Sequence, residues 1–134
     1  MTAQSEELVR RLMDLFARTL DHQGGCLETV GLTYVQAKLV WRLEVGELVS
    51  VKELARRMGV DPSNASSVVE QLTARGLVAS RRAEHDRRVR LVRLTGPGAR
   101  VRRELVACLS AHPALDTLPK ERRAQLLEIL REVA

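Results

Sequence analysis

Aromatic side chains are almost missing from this chain: Phe16, Tyr34 and Trp41 are the only three among 134 residues. None of them lies in the stretch that carries the positive charge. That separation excludes single-strand nucleic-acid binding by base stacking, which needs aromatic platforms among the cations. Cysteine is scarce as well. Cys26 and Cys108 are too few for a disulfide framework and do not form a CxxC pair, so both thiols are expected to be reduced. No apolar run approaches the roughly 18 uninterrupted residues of a membrane span, because a charged residue breaks every candidate. The N-terminal residues lack the basic start and apolar stretch of a secretory signal, which makes the cytoplasm the expected address. There is no Gly-rich phosphate loop, nucleophile elbow or paired-carboxylate arrangement, so no catalytic residue, enzyme activity or cofactor is expected.

What the chain does have is arginine in one place. The total charge is +5, but between Arg75 and Arg103 ten arginines stand against two acids, Glu84 and Asp86. That block is therefore +8 and leaves −3 for the rest. An acidic body with a single arginine-rich block is the electrostatic footprint of a nucleic-acid surface, since the planar guanidinium fork matches phosphate. The length and the 45% hydrophobic content fit one globular domain, 1–134, with a core.

Periodicity supplies the order of elements. Leu8, Val9, Leu12, Met13, Leu15, Phe16 and Leu20 predict an amphipathic helix from about Ser5 to His22, ended by Gly24-Gly25. Thr33 with Gln36, and Ser50 with Glu53, have the form of capping boxes and open two further helices, the second stopping near Gly59. Asp61-Pro62 offers an N-cap and a first-turn proline for a helix to about Arg75. Leu77 to Ala79 and Val89 to Thr95 then read as a hairpin whose charged tip is Ser80 to Arg88. Gly96-Pro97-Gly98 closes it and leads into a helix from about Ala99 to Ala111, and a last helix follows Pro119. The fold class is mainly α with a small β-hairpin (α+β).

Two short helices joined by a three-residue turn between Val51 and Glu70 form a helix-turn-helix. In such a motif the second helix enters the major groove, and its N-terminal residues meet base edges. Those residues are Ser63, Asn64, Ser66 and Ser67, with Gln71 a turn further on. Asn pairs bidentately with adenine, and serines serve bases or phosphates. None carries charge, so the Coulomb attraction has to come from Arg82, Arg87 and Arg88 in the hairpin, which reads as a wing. Asp86 in the wing tip has two readings: it orients a neighbouring arginine, or it serves turn chemistry.

At these residues the chain resembles the multiple antibiotic resistance regulator (MarR) family of winged-helix transcription factors. Leu32-Thr33 with Gln36 is similar to that family's L-T-x-x-Q helix opening, and Arg75 to Val78 to its R-G-L-V ending. Asp86-Arg87-Arg88, followed by Leu94-Thr95 and Gly98, is similar to its D-x-R wing and L-T-x-x-G exit. The resemblance implies that Arg88 is the minor-groove arginine and Asp86 its orienting partner. It implies a winged helix-turn-helix lobe over 33–98 and helical dimerisation regions over 1–22 and 99–134. It further implies a homodimeric regulator, usually a repressor, on a pseudopalindromic double-stranded DNA operator, with a small-molecule effector that is often phenolic or an aromatic acid. Many relatives place a basic residue in the middle of the recognition helix, where this chain has Ser67.

Two rival readings stand beside that one: a sequence-indifferent architectural DNA binder, and a winged-helix protein-interaction module. Some relatives sense oxidants through a cysteine. Here Cys108 falls on the apolar side of a helix and is expected in the core, while Cys26, in an expected loop after the glycine pair, is the better candidate. His22 and Cys26 lack further ligands nearby in sequence, with His85 and His112 distant, so no metal site is expected.

Overall fold

The computed structural model describes residues 2–134. Its elements run α1 (Ala3–Val30), α2 (Tyr34–Arg42), β1 (Val49–Ser50), α3 (Val51–Met58), α4 (Pro62–Ala74), β2 (Val78–Arg82), β3 (Arg90–Leu94) and α5 (Gly96–Ser110). A short 3-10 turn (Leu115–Thr117) and α6 (Lys120–Val133) complete the chain. Two compact units result: residues up to Cys26 with Cys108–Ala134, and Leu27–Ala107.

The second unit is a winged helix-turn-helix. Thr33 caps α2 as the sequence predicts: its Oγ1 accepts from the Gln36 amide at 3.3 Å, while Gln36 Oε1 accepts from the Thr33 amide at 3.1 Å. Ser50 caps α3 from one side only, accepting from the Glu53 amide at 3.1 Å. The Glu53 carboxylate turns instead to Arg56 and Arg57, so the second capping box is half formed. Gly59 ends α3 in the left-handed region at φ 67°, where it carries no Cβ penalty. Asp61 starts α4 through its backbone, without a side-chain cap, and Pro62 presets the first turn. Leu54, Ala55 and Met58 of α3 and Ala65, Val68, Val69 and Leu72 of α4 are buried, as the apolar spacing requires.

The wing has three strands rather than two, in the order β1-β3-β2, all antiparallel. Val49 pairs with Val92 and Ser50 with Leu91. Strand β2 runs to Arg82, opposite Arg90, so the irregular tip begins at Ala83 rather than at Ser80. Gly96-Pro97-Gly98 is not a loop before the helix but its first turn. Thr95 caps that turn, its Oγ1 accepting from the Gly98 amide at 3.1 Å while donating to the Gly76 carbonyl at 2.6 Å. A Cβ on Gly98 would lie 1.8 Å from the Leu77 carbonyl oxygen, so only glycine fits there.

The other unit departs further from expectation. Helix α1 passes straight through Gly24-Gly25 and stops at Gly31, which takes φ 70°. A helical glycine costs only about 1 kcal/mol relative to alanine, so the pair does not end the helix unless its backbone turns left-handed, and neither does. Cys26 is therefore helical and buried rather than in a loop, and Cys108 is half-buried. The two are joined by a disulfide with their Cα atoms 5.7 Å apart, which corrects the expectation of reduced thiols. Helix crossing brings together cysteines 82 residues apart, a pairing that no local motif marks. His112 is buried beyond the end of α5. Its Nδ1 accepts from the amides of Ala114 and Leu115, and its Nε2 lies 2.8 Å from Thr19 Oγ1, which itself donates to the Leu15 carbonyl. None of the helices is long and apolar enough to cross a membrane, among the described residues.

Candidate nucleic-acid interface

Helix α4 places its polar residues on one stripe because its apolar residues occupy the other. Ser63, Asn64, Ser67 and Gln71 are exposed and Ser66 is half-buried. The last of the stripe, though exposed, is tethered: Gln71 Oε1 accepts from Gln36 Nε2 at 3.0 Å. Gln36 is a hub. Besides capping α2 and holding Gln71, its Oε1 accepts from Arg75 Nη1 at 3.2 Å, and the same nitrogen donates to the Gly31 carbonyl at 2.8 Å. The buried glutamine thus fixes the C-terminal half of α4, and with it the aim of the serine- and asparagine-bearing first turns.

The wing tip is built around Asp86. Its Oδ1 accepts from the Arg88 amide at 3.0 Å and from Arg88 Nε at 3.1 Å, and its Oδ2 accepts from Arg88 Nη2 at 3.1 Å. Both readings of this aspartate are realised by one side chain: it closes the turn and it holds the guanidinium in a two-toothed grip. The guanidinium and amide of Arg88 hold the Asp86 carboxyl below the usual carboxylate range, so it stays ionised at neutral pH. Arg88 remains 91% exposed on its side chain, a fixed cation facing outward. Arg82 and Arg87 are also exposed.

One arginine is withdrawn from this surface. Arg90 faces Arg82 across the strands, where like charges repel. Its Nη1 pairs with Glu70 Oε1 at 2.6 Å and its Nε donates to Ser80 Oγ at 3.0 Å. This pair ties the wing to α4, and the sequence reading did not single out either member. Between them lies a groove of about 380 Å³ lined by Lys52, Pro62, Ser66, Arg82, Arg88 and Arg90, among others. Lys52, a cation at the start of α3, was missed because it stands outside the arginine block. The groove joins the first turn of α4 to the wing, the two parts that the sequence assigned to base and phosphate contact.

Within α3, Arg57 bridges Glu53 at 3.3 Å and reaches back to Glu47 at 2.8 Å. Hydrogen bonding from Arg56 first, and from Arg57, lowers Glu53 to about 2. Glu47 is lowered too, chiefly by its hydrogen bond from Arg57.

The first unit gathers His22, Cys26 and Cys108, with candidate ligand atoms all within 4.8 Å of one another. Sequence reading had found no partner set for His22 and Cys26; the third member arrives from α5.

The MarR family model matches residues 30–89, which span the helix-turn-helix, β2 and the wing tip and stop before β3. No curated protein matches the chain. Among solved structures, YusO of Bacillus subtilis is 26% identical over 99% of this chain and 97% of its own, with a TM-score of 0.76. A transcriptional regulator of the MarR family from Rhodococcus sp. RHA1 is 25% identical, covering 99% and 96% at a TM-score of 0.79. CouR from Rhodococcus jostii RHA1, solved bound to p-coumaroyl-CoA, is 26% identical, covering 99% and 95% at a TM-score of 0.75.

Proposed function

We propose that the chain is a winged-helix transcriptional regulator of the MarR family, which binds a pseudopalindromic duplex operator as a homodimer in the cytoplasm and represses transcription until a small molecule releases it. The observation that carries this reading is the groove at which Ser66 of the recognition helix meets Arg82 and the Asp86-held Arg88 of the wing. Base readout and phosphate attraction are divided between the two parts. Ser63, Asn64, Ser66 and Ser67 are uncharged and read base edges in the major groove. The arginines and Lys52 supply the sequence-independent attraction, with Arg88 entering the minor groove, where a narrow width deepens the negative potential. Gln71 acts on α4 through Gln36 and is assigned a positioning role.

Dimerisation is supported by an apolar face with no covering element. Leu8, Val9, Leu12, Met13, Phe16 and Leu20 of α1 are all exposed, as are Leu127, Ile129, Leu130 and Val133 of α6. A soluble monomer rarely leaves so many large apolar side chains of its helices in water. We assign α1 (within 1–22) and the helices over 99–134 to the dimer contact, and 33–98 to the DNA-binding lobe. Two lobes then address half-sites about one helical turn apart. CouR, which carries p-coumaroyl-CoA, supports an aromatic-acid-derived effector.

Selection of bound sequences from a random duplex pool tests the reading. An inverted repeat is expected. A pool that shows no enrichment points to an architectural binder, and the absence of salt-sensitive duplex binding points to a protein-interaction module; either result overturns the proposal.

A further inference from the structure

We propose that the first unit contains a metal site built by His22, Cys26 and Cys108, which takes a soft divalent cation such as zinc(II) when the disulfide is reduced and which disulfide formation abolishes. The site is independent of the nucleic-acid interface and does not rest on the regulatory reading.

The geometry comes from two helices that each place a ligand toward the other. His22 and Cys26 are four residues apart on α1 and therefore share a face, with Nε2 of the histidine 3.7 Å from Sγ of the cysteine. Cys108, on α5, completes the trio, and the three ligand atoms lie within 4.8 Å of one another. A tetrahedral zinc ion with bonds of about 2.0–2.1 Å to nitrogen and 2.3 Å to sulfur separates its nitrogen and sulfur ligands by about 3.6 Å. The spacing between His22 and Cys26 already has that value to within 0.1 Å. The two sulfurs have to part to about 3.8 Å and the Cys108 sulfur has to settle about 3.6 Å from the imidazole nitrogen, from a trio that already lies within 4.8 Å; changes of side-chain torsion allow this between Cα atoms 5.7 Å apart.

The imidazole is already held beside Cys108. Its Nε2 lies 2.6 Å from the Cys108 carbonyl oxygen, to which it donates; ligation replaces this hydrogen bond with the bond to the ion. The neighbouring His112 is not a competing ligand. Both its nitrogens are engaged, Nδ1 by the amides of Ala114 and Leu115 and Nε2 by Thr19, so it braces the end of α5 against α1 with its ring centroid 5.7 Å from that of His22. Three protein ligands with the fourth position open is the pattern of a zinc site that can still accept water or another ligand. Two thiolates with an imidazole are soft donors, which favour zinc or copper(I) over magnesium or calcium.

The chemistry balances in two steps. A dithiol reductant of the kind that keeps cytosolic cysteines reduced transfers two electrons to the disulfide; the S–S bond breaks, two thiols form and the reductant becomes a disulfide. The cation then displaces one proton from each thiol, while the imidazole moves its own proton from Nε2 to Nδ1 and binds through Nε2. Two protons leave, and the site with its divalent ion is neutral. Oxidation of the two thiolates by a disulfide oxidant reverses both steps and ejects the ion. The two sulfurs cannot bond to each other and remain thiolate ligands, so disulfide and metal are exclusive occupants of one place.

The probe is cobalt(II), added to the full-length chain in buffer with a phosphine reductant and no DNA. The reduced protein is expected to develop a thiolate-to-cobalt charge-transfer band and the intense visible bands of tetrahedral cobalt, saturating at one ion per chain and bleached by zinc(II). The oxidised protein is expected to show neither. Cys26→Ser and Cys108→Ser should abolish the bands. His22→Gln keeps both sulfurs and should weaken the affinity at least about tenfold, whereas His85→Gln in the wing should change nothing. Circular dichroism verifies folding, and His22→Gln decides the matter alone if a serine variant does not fold. Only the weak spectrum of hydrated cobalt in the reduced protein, equal binding by the oxidised form, or wild-type affinity in His22→Gln would each overturn the site. Because no duplex is present, none of these results bears on operator binding.

Discussion

Asp86 holds Arg88 through three hydrogen bonds, one to its backbone amide and two to its guanidinium, while leaving that guanidinium open to solvent. Under the proposed duplex contact, the arrangement lowers the entropy that the arginine loses on docking, since the fork is set in advance. Arg88→Ala is expected to weaken binding to operator and random duplexes alike and to reduce the slope of log affinity against log salt by about 1. Asp86→Ala should weaken binding less, roughly tenfold, and leave the slope unchanged, because the cation remains and only its preorganisation is lost. Fluorescence anisotropy at several salt concentrations separates the two.

Asn64 carries the opposite signature. It is exposed in the first turn of α4 and uncharged, so Asn64→Ala should cost about 1–3 kcal/mol on the operator and almost nothing on random duplex. Equal losses on both would remove it from base readout.

Gly98 sits against the Leu77 carbonyl with no room for a Cβ. Gly98→Ala is expected to destabilise the fold by about 3 kcal/mol, because backbone has to move where the start of α5 passes the root of β2. Chemical denaturation measures it, and a loss under about 0.5 kcal/mol would contradict the close approach.

Acid should loosen the helix-turn-helix. Glu53 is lowered to about 2 by Arg56 and Arg57, against an ordinary value of 4.5. A carboxyl that is more acidic in the folded state than in the unfolded one adds stability above pH 4.5, and this is lost as pH falls from 4.5 toward 2. Glu47 contributes in the same direction. Thermal unfolding between pH 6 and 2.5 should show a falling Tm whose steepness is reduced in Glu53→Gln; an unaltered profile in that variant would separate the carboxylate from acid sensitivity.

The motif was legible in sequence wherever local chemistry specifies local structure. Thr33 and Gln36 cap α2, Gly59 turns α3, and the alternation around Leu91 to Leu94 makes a strand, each within a few residues. The losses occur where the deciding partner is far along the chain. Strand β1 is two residues long and exists because Val92 and Leu91 lie opposite it, so no periodicity could announce it. Gln71 looks like a base-reading residue from its place on α4 until Gln36, 35 residues earlier, takes its oxygen. Arg90 looks like one more cation of the wing until Glu70 is seen beside it. The glycine pair at 24 and 25 misled for a different reason: glycine ends a helix by adopting a left-handed conformation, and composition alone does not say which glycine will do so.

Ser50 is at once the last residue of β1, paired with Leu91, and the residue whose hydroxyl accepts from the Glu53 amide in the first turn of α3. The root of the finger and the threshold of the reading head are consequently a single amino acid. A tilt of the finger is felt by the head without any intervening slack, and a loop insertion that decoupled them would have to sacrifice either a rung of the ladder or the cap.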